Sequence, residues 1–224
     1  DTAPGSSAQP FRTVQRGLDA LAAGDVLEVR AGTYSGYFRL ETTGTANAWI
    51  TIRAAAGAAV ILDGQGADDS VVLTLGGGVS YARVEGLVIR NARGYGLLLA
   101  GNNTNIELRR IEATSNETGL RVTDPGIPGG TVDRLLVEEC RLHHNSLLGF
   151  DLAPGPGTNV TIRATVSEDN GAGTNDTAAD GFSVVALVNG ASPATRNFAV
   201  KAPVVPALVV YAKPDQSVVA PGRS

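Results

Sequence analysis

Four asparagines, each leading into a glycine and then an apolar run, constrain this chain more than any other feature. Asn91 is followed by GYGLLL, Asn116 by ETGLRV and Asn145 by SLLGFDL, while Asn170 is followed, after a longer insert, by ADGFSV. The asparagines recur at steps of 25, 29 and 25 residues, and Gly96, Gly119, Gly149 and Gly181 keep nearly the same rhythm. Each unit reads aliphatic strand, asparagine, polar turn, glycine, aliphatic strand. A self-similar period of this size signals a stacked repeat, because a single unit cannot bury its own apolar face. The units contain no helical pattern, which excludes helical and leucine-rich repeats, and they are too short for four-stranded propeller blades of roughly 40 residues. A parallel β-helix remains. In such a stack, equivalent asparagines are expected to form a ladder of amide hydrogen bonds and to accept the left-handed backbone of a sharp corner. Roughly six coils at ~4.8 Å per step give a rod of about 30 Å.

The remaining runs agree. DVLEVR, WITIRA, VVLTL, ARVEGLVIR, TNIELRRIEA, RLLVEECRL and TNVTIRA alternate with the period of a strand and are separated by Gly, Asn and Asp. The 28 glycines and only five each of Phe and Tyr suit many turns and thin aliphatic strands. One segment differs. Residues 10–23 place Phe11, Val14, Leu18, Leu21 and Ala22 at helical spacing, with Pro10 to start and Gly24 to stop. This helix is expected to cover the open end of the stack, where backbone groups would otherwise lack partners. The chain thus divides into an N-terminal segment with its capping helix (1–24), coils (25–184) and a C-terminal region of the same domain (185–224). That last region is expected to be irregular because Pro193, Pro203 and Pro206 remove ladder donors.

Composition narrows the function. A net charge of −4 offers no basic patch for nucleic acid, and no apolar run reaches membrane-spanning length. A monomer is expected. The chain has no Met, which points to a processed chain and leaves export open. Cys140, the lone cysteine, forms no internal disulfide and is expected to be a small buried hydrophobe. The four Asn-x-Thr sequons at Asn102, Asn116, Asn159 and Asn175 are expected to be turns. Trp49 is expected to serve packing ahead of service as a sugar platform. His143 and His144 are adjacent, so on a strand they would face opposite sides, and both are expected to be exposed at a corner. Asp63 is expected to be a coil corner without a catalytic role.

The segment PFRTVQRGLDALAAGDVLEVRAGTYSG resembles the opening of right-handed parallel β-helix proteins of the pectate-lyase-like superfamily. The later TGLRV, ADGF and YAKP are most similar to family 9 polysaccharide lyases, and the resemblance covers residues 8–184. It implies an all-β, right-handed parallel β-helix, exported or at the cell surface, acting on an acidic polysaccharide. It also implies Ca²⁺ held on the outside of the stack by aspartates of neighbouring coils, with a lysine as base for β-elimination on a uronate polymer. Asp180 matches the first of those aspartates. The next coil departs from the family: counting back from Tyr211-Ala212-Lys213, its acidic motif is replaced by APVVPALVV, residues 202–210. Lys213 matches the motif's own lysine, and the position of the base falls beyond Ser224.

Two further readings come from the residues themselves. Asp151, Asp169, Asp176 and Asp180, with Glu168 nearby, are expected near one corner of neighbouring coils. There they form either a cation site or solvated turn carboxylates. Asp151 with Asp180 or Asp169 could also act as a glycosidase pair if separated by about 5 Å or roughly 6.5–9.5 Å. Arg109, Arg110, Arg121, Arg134 and Arg141 recur from coil to coil. An outward row of them could contact an acidic polysaccharide, with Arg121 and Arg141 as candidate substrate contacts, or could simply confer solubility. A non-catalytic carbohydrate-binding or structural module is the alternative to a lyase.

Overall fold

The computed structural model describes residues 3–65, 70–122, 131–155, 157–171, 181–186 and 194–199. Strands follow one another in triplets. The first comprises β1 (Val26–Val29), β2 (Gly32–Ser35) and β3 (Phe38–Leu40), and the second β4 (Ile50–Ala54), β5 (Val60–Asp63) and β6 (Val71–Leu75). The third comprises β7 (Ser80–Glu85), β8 (Val88–Arg90) and β9 (Tyr95–Leu99), and the fourth β10 (Asn103–Arg109), β11 (Glu112–Thr114) and β12 (Thr118–Val122). The fifth holds β13 (Val132–Glu138), β14 (Arg141–His143) and β15 (Leu148–Gly155), and the sixth β16 (Gly157–Arg163), β17 (Val166–Glu168) and β18 (Gly181–Ala186). Each strand pairs in parallel with its equivalent in the next triplet. This gives sheet A (β1-β4-β7-β10-β13-β16), sheet B (β2-β5-β8-β11-β14-β17) and sheet C (β3-β6-β9-β12-β15-β18). Parallel pairing three strands apart is a coil stack, not a propeller or a sandwich.

One strand breaks the pattern. β19 (Ala194–Ala199) runs antiparallel to β18 at the edge of sheet C. The described part of the C-terminal region is therefore a regular pair of strands, and β18 runs two residues past the expected boundary at 184. Asp176, Asp180 and residues 202–213 lie outside the described residues.

Inward residues form columns because the register holds from coil to coil. Phe38, Leu73, Leu97, Leu120 and Phe150 stack in sheet C, and Ile52, Val84, Leu108, Val137 and Ile162 stack in sheet A. All ten are buried.

The asparagine ladder exists, with one correction. Asn116 Nδ2 donates to Asn145 Oδ1 (3.1 Å), and Asn145 Nδ2 donates to Asn170 Oδ1 (2.9 Å). The backbone N–H groups of Asn116 and Asn145 donate to the same two oxygens. Each ladder amide also donates to a carbonyl on an earlier strand or its end: Ile89, Ala113 or Leu142. Asn91 is not a rung. Its coil presents Ala92 at the ladder position, whose N–H donates to Asn116 Oδ1 (2.9 Å). Asn91 instead occupies the left-handed position just before, with Ser115, His144 and Asp169, at φ of 61°, 57°, 53° and 52°. So the left-handed corner and the ladder belong to adjacent residues, not to one. The glycine rhythm follows from the ladder. A Cβ on Gly119 would lie 2.7 Å from the Gly149 carbonyl oxygen and 2.9 Å from Asn145 Nδ2.

The capping helix is shorter than expected. α1 spans Val14–Asp19, with Thr13 in extended backbone as N-cap and its Oγ1 accepting from the Arg16 N–H (3.2 Å). Threonine supplies that acceptor and Pro10 does not, so the helix starts four residues later than the periodicity implied. Val14, Leu18 and Leu21 join the core as expected, but Ala22 is exposed. Gly17 permits close contact, since a Cβ there would meet Leu27 Cδ1 at 2.6 Å.

Cys140 is buried, and burial pushes its thiol up to about 11. At mildly alkaline pH the native protein is expected to resist iodoacetamide, and to react stoichiometrically once unfolded in denaturant. Mass spectrometry before and after denaturation checks this, and fast native labelling would contradict the packing.

Candidate functional site

Alternation fixes which side chains face out. In sheet C, Leu97, Leu120 and Phe150 point into the core, so their neighbours Leu98, Arg121 and Asp151 form an outer column, continued by register to Thr74 and Arg39. Arg121 and Asp151 meet there in an ion pair through Nη1 and Oδ2. Their side chains are only 15% and 10% exposed. The Arg121 guanidinium also lies over the Tyr95 ring, 5.3 Å from its centroid. Stacking on an aromatic face and pairing to a carboxylate orient the guanidinium and neutralise it.

Of the other predicted residues, two lie away from this pair, and Asp176 and Asp180 lie outside the described residues. Arg141 is on sheet B, where it pairs with Glu168 (2.8 Å). Asp169 is exposed at the left-handed corner before Asn170. Asp151's register partner on the next coil is Ser183. Calcium takes six to eight oxygens, several of them carboxylate. Among the described residues no group of three or more His, Cys, Asp and Glu side chains comes together, and the best-placed carboxylate is already paired with Arg121. The described residues by themselves assemble no calcium centre, and two of the four expected ligands, Asp176 and Asp180, lie outside them.

The expected row of arginines is also corrected. Arg109 is on sheet A, Arg110 at a left-handed corner (φ 50°), Arg121 on sheet C, Arg134 at a left-handed position inside β13 (φ 54°) and Arg141 on sheet B. They recur along the chain at uneven steps of 1, 11, 13 and 7 residues, and their places within the coil differ. What sheet A carries instead is a strictly alternating column: Glu28, Arg53, Glu85, Arg109, Glu138 and Arg163. Glu28 pairs with Arg53 (3.1 Å), and Glu138 pairs with both Arg109 and Arg163. Opposite charges one strand apart avoid like-charge repulsion and cancel the far field, so this column is no polyanion stripe.

The histidines depart from expectation as well. His144 is exposed, but His143 is only 7% exposed, with Nε2 2.9 Å from Glu112 Oε1. The left-handed turn at His144 brings the two rings edge-on, 4.9 Å between centroids, so they do not face opposite sides. Asp63 is a corner clamp: it is buried and accepts from Arg90 Nε, Asn91 Nδ2 and the Gln65 N–H.

Trp49 packs edge-on against Tyr81 (5.7 Å, 83°) and also lines an open groove of about 550 Å³ on the outer face of sheet A. No sequence signal marked that groove, because its residues come from four separate coils.

Comparison with known proteins adds the family. Residues 1–192 match the family described as Pel9A-like, right handed beta helix region. No curated protein matches the chain. Similar solved structures include the pectate lyase Pel9A (20% identity, TM-score 0.56, covering 80% of this chain and 54% of that one). A rhamnogalacturonan lyase is similar at 18% identity and TM-score 0.57 (80% and 58% covered). An alginate lyase from Paenibacillus sp. str. FPU-7 is similar at 17% identity and TM-score 0.54 (68% and 62% covered). The chain spans roughly half to three-fifths of the length of these structures, and at such identity the likeness establishes the fold. With the coil stack, the ladder and the family match together, the chain belongs to the Pel9A-like right-handed β-helix family.

Proposed function

We propose that this chain is a polysaccharide-engaging β-helix, secreted or displayed at the cell surface, that binds an acidic polysaccharide without cleaving it. The observation that carries this reading is the Arg121–Asp151 pair on sheet C. A carboxylate that would ligate a cation is there held by a guanidinium, and Ca²⁺ would have to displace that largely buried charge from it. The apolar stretch at 202–210, where the family's acidic motif is expected, supports the same reading. The lyase activities named for the structural neighbours support the choice of polysaccharide as partner. Incubation with polygalacturonate or alginate and Ca²⁺ is expected to yield no ultraviolet absorbance from unsaturated uronates. Affinity electrophoresis is expected to show retardation by the polymer that chelator leaves unchanged. Failure to be retarded by either polymer would overturn the binding reading.

The second reading is Ca²⁺-dependent β-elimination, favoured by Asp180 standing directly before Gly181 in an ADGF element. A rise in absorbance that requires Ca²⁺ and disappears with chelator would establish it in place of the first.

A further inference from the structure

The groove on sheet A is a built surface. Its floor is a register column, Glu107 on β10, Leu136 on β13 and Thr161 on β16. Its wall is the column of left-handed residues Asn105, Arg134 and Asn159, with φ near 55° at each. A left-handed residue inside a strand steps out of the ladder, so the paired residues resume on its far side: Thr104 pairs with Asp133, and Ile106 with Leu135. This left-handed step, repeated at the same position in three strands, forms the wall. Trp49 closes one end, braced by Tyr81 and by the Arg83 guanidinium 5.7 Å from its ring centroid.

The chemistry of this lining is specific. Leu136 is only half-buried on the outer face, and Trp49 is partly exposed. Together they give apolar surface between hydrogen-bonding amides and a hydroxyl. Arg134 Nε donates to Asn105 Oδ1 (2.9 Å) and Nη2 to Thr104 Oγ1 (3.2 Å), while Nη1 pairs with Asp133 Oδ2 (2.9 Å). The side chain is still 57% exposed, so a ligand carboxylate would meet its open face or displace this weak surface pair. The one floor carboxylate, Glu107, is already spent. Burial raises its pKa, but hydrogen bonds from Arg83 and Arg109 outweigh this and hold it below the usual range. A ligand with apolar ring faces, equatorial hydroxyls and carboxylates matches such a surface. Three adjacent strands supply the floor, which therefore extends roughly 10 Å across them, along the axis of the stack.

We infer that this groove is a glycan-binding site. It takes a segment of acidic polysaccharide laid across β10, β13 and β16, with one sugar ring against Trp49 and a uronate carboxylate on Arg134. The inference rests on the polysaccharide reading above and gives it a location away from the Arg121–Asp151 pair.

Trp49 is the chain's single tryptophan, so its emission reports on this groove alone. The full chain is titrated with oligogalacturonides, and in parallel with neutral cello-oligosaccharides. A saturable change in Trp49 emission is expected with the acidic series only. Trp49→Ala and Arg134→Gln are expected to weaken retention on polygalacturonate about tenfold. Arg134→Gln alters an exposed side chain and is expected to leave the melting temperature unchanged, so loss of binding there is not loss of folding. Three results overturn the inference. If wild type and both variants are retained equally with no change in emission, the groove is not the site and the polysaccharide reading stands. If neutral oligosaccharides bind as tightly as acidic ones, the ligand class is wrong. If the wild type is not retained at all, the groove and the polysaccharide reading fail together.

Discussion

Asn145→Ala is expected to remove about 4 kcal/mol of unfolding free energy, enough to threaten a domain whose whole stability is of order 5–15 kcal/mol. Asn145 is fully buried. Its Oδ1 accepts from both the backbone N–H and the Nδ2 of Asn116, and its Nδ2 donates to the Ala113 carbonyl and to Asn170 Oδ1. Alanine leaves the Asn116 N–H without its acceptor in a dry corner and removes the bonds that Asn145 makes to the Asn116 amide, the Ala113 carbonyl and Asn170 Oδ1. Each buried polar group without a partner costs roughly 1–3 kcal/mol. Asn91→Ala is the matched control. Asn91 makes one side-chain bond, to Asp63 Oδ1, and sits at φ 61°, so its loss is expected to cost only about 1–2 kcal/mol. Urea denaturation of both variants checks the contrast. Equal losses would mean that Asn145 does not carry the ladder.

Gly119→Ala is expected to cost about 2–3 kcal/mol through overpacking. The added methyl meets the Gly149 carbonyl oxygen and the Asn145 amide, both closer than 3.0 Å. Neither can withdraw, since one is backbone of the next coil and the other is a rung of the ladder. Gly57→Ala provides the comparison. Gly57 has φ of 70° but nothing within 4 Å of an added Cβ, so only the left-handed penalty of roughly 1–2 kcal/mol applies. The double variant Gly119→Ala/Asn145→Ala is expected to lose less than the sum of the two, because truncating Asn145 removes one of the two clashes. Thermal melts of the set decide this, and strict additivity would place the strain elsewhere.

Much of the fold was legible in the chain. The inward leucines, isoleucines and valines alternate visibly, and the glycines at the start of four sheet C strands repeat. The candidate site was far less legible. Asp151 read as a cation ligand because acids and turns look alike in one dimension, yet its outer-face neighbour is Arg121, thirty residues away. The arginines read as one row because they recur along the coils, but their uneven steps of 1, 11, 13 and 7 residues send them to three sheets and one corner. Asn91 read as a rung for the same reason, and the step from Ala92 to Asn116, one residue shorter, moved it onto the left-handed corner.

From sequence alone came the repeat, the strand period, the covered N-terminal end and hence the coil stack, because these depend on spacing along the chain and on the alternation of side chains at each residue. Only the tertiary structure decided which side chains are partners: Arg121 with Asp151, His143 with Glu112, the alternating column on sheet A, and the groove beside Trp49. Each of those pairings joins different coils and is set by register. Register depends on the length and backbone conformation of every corner between them, and a shift of one residue exchanges the inner face for the outer.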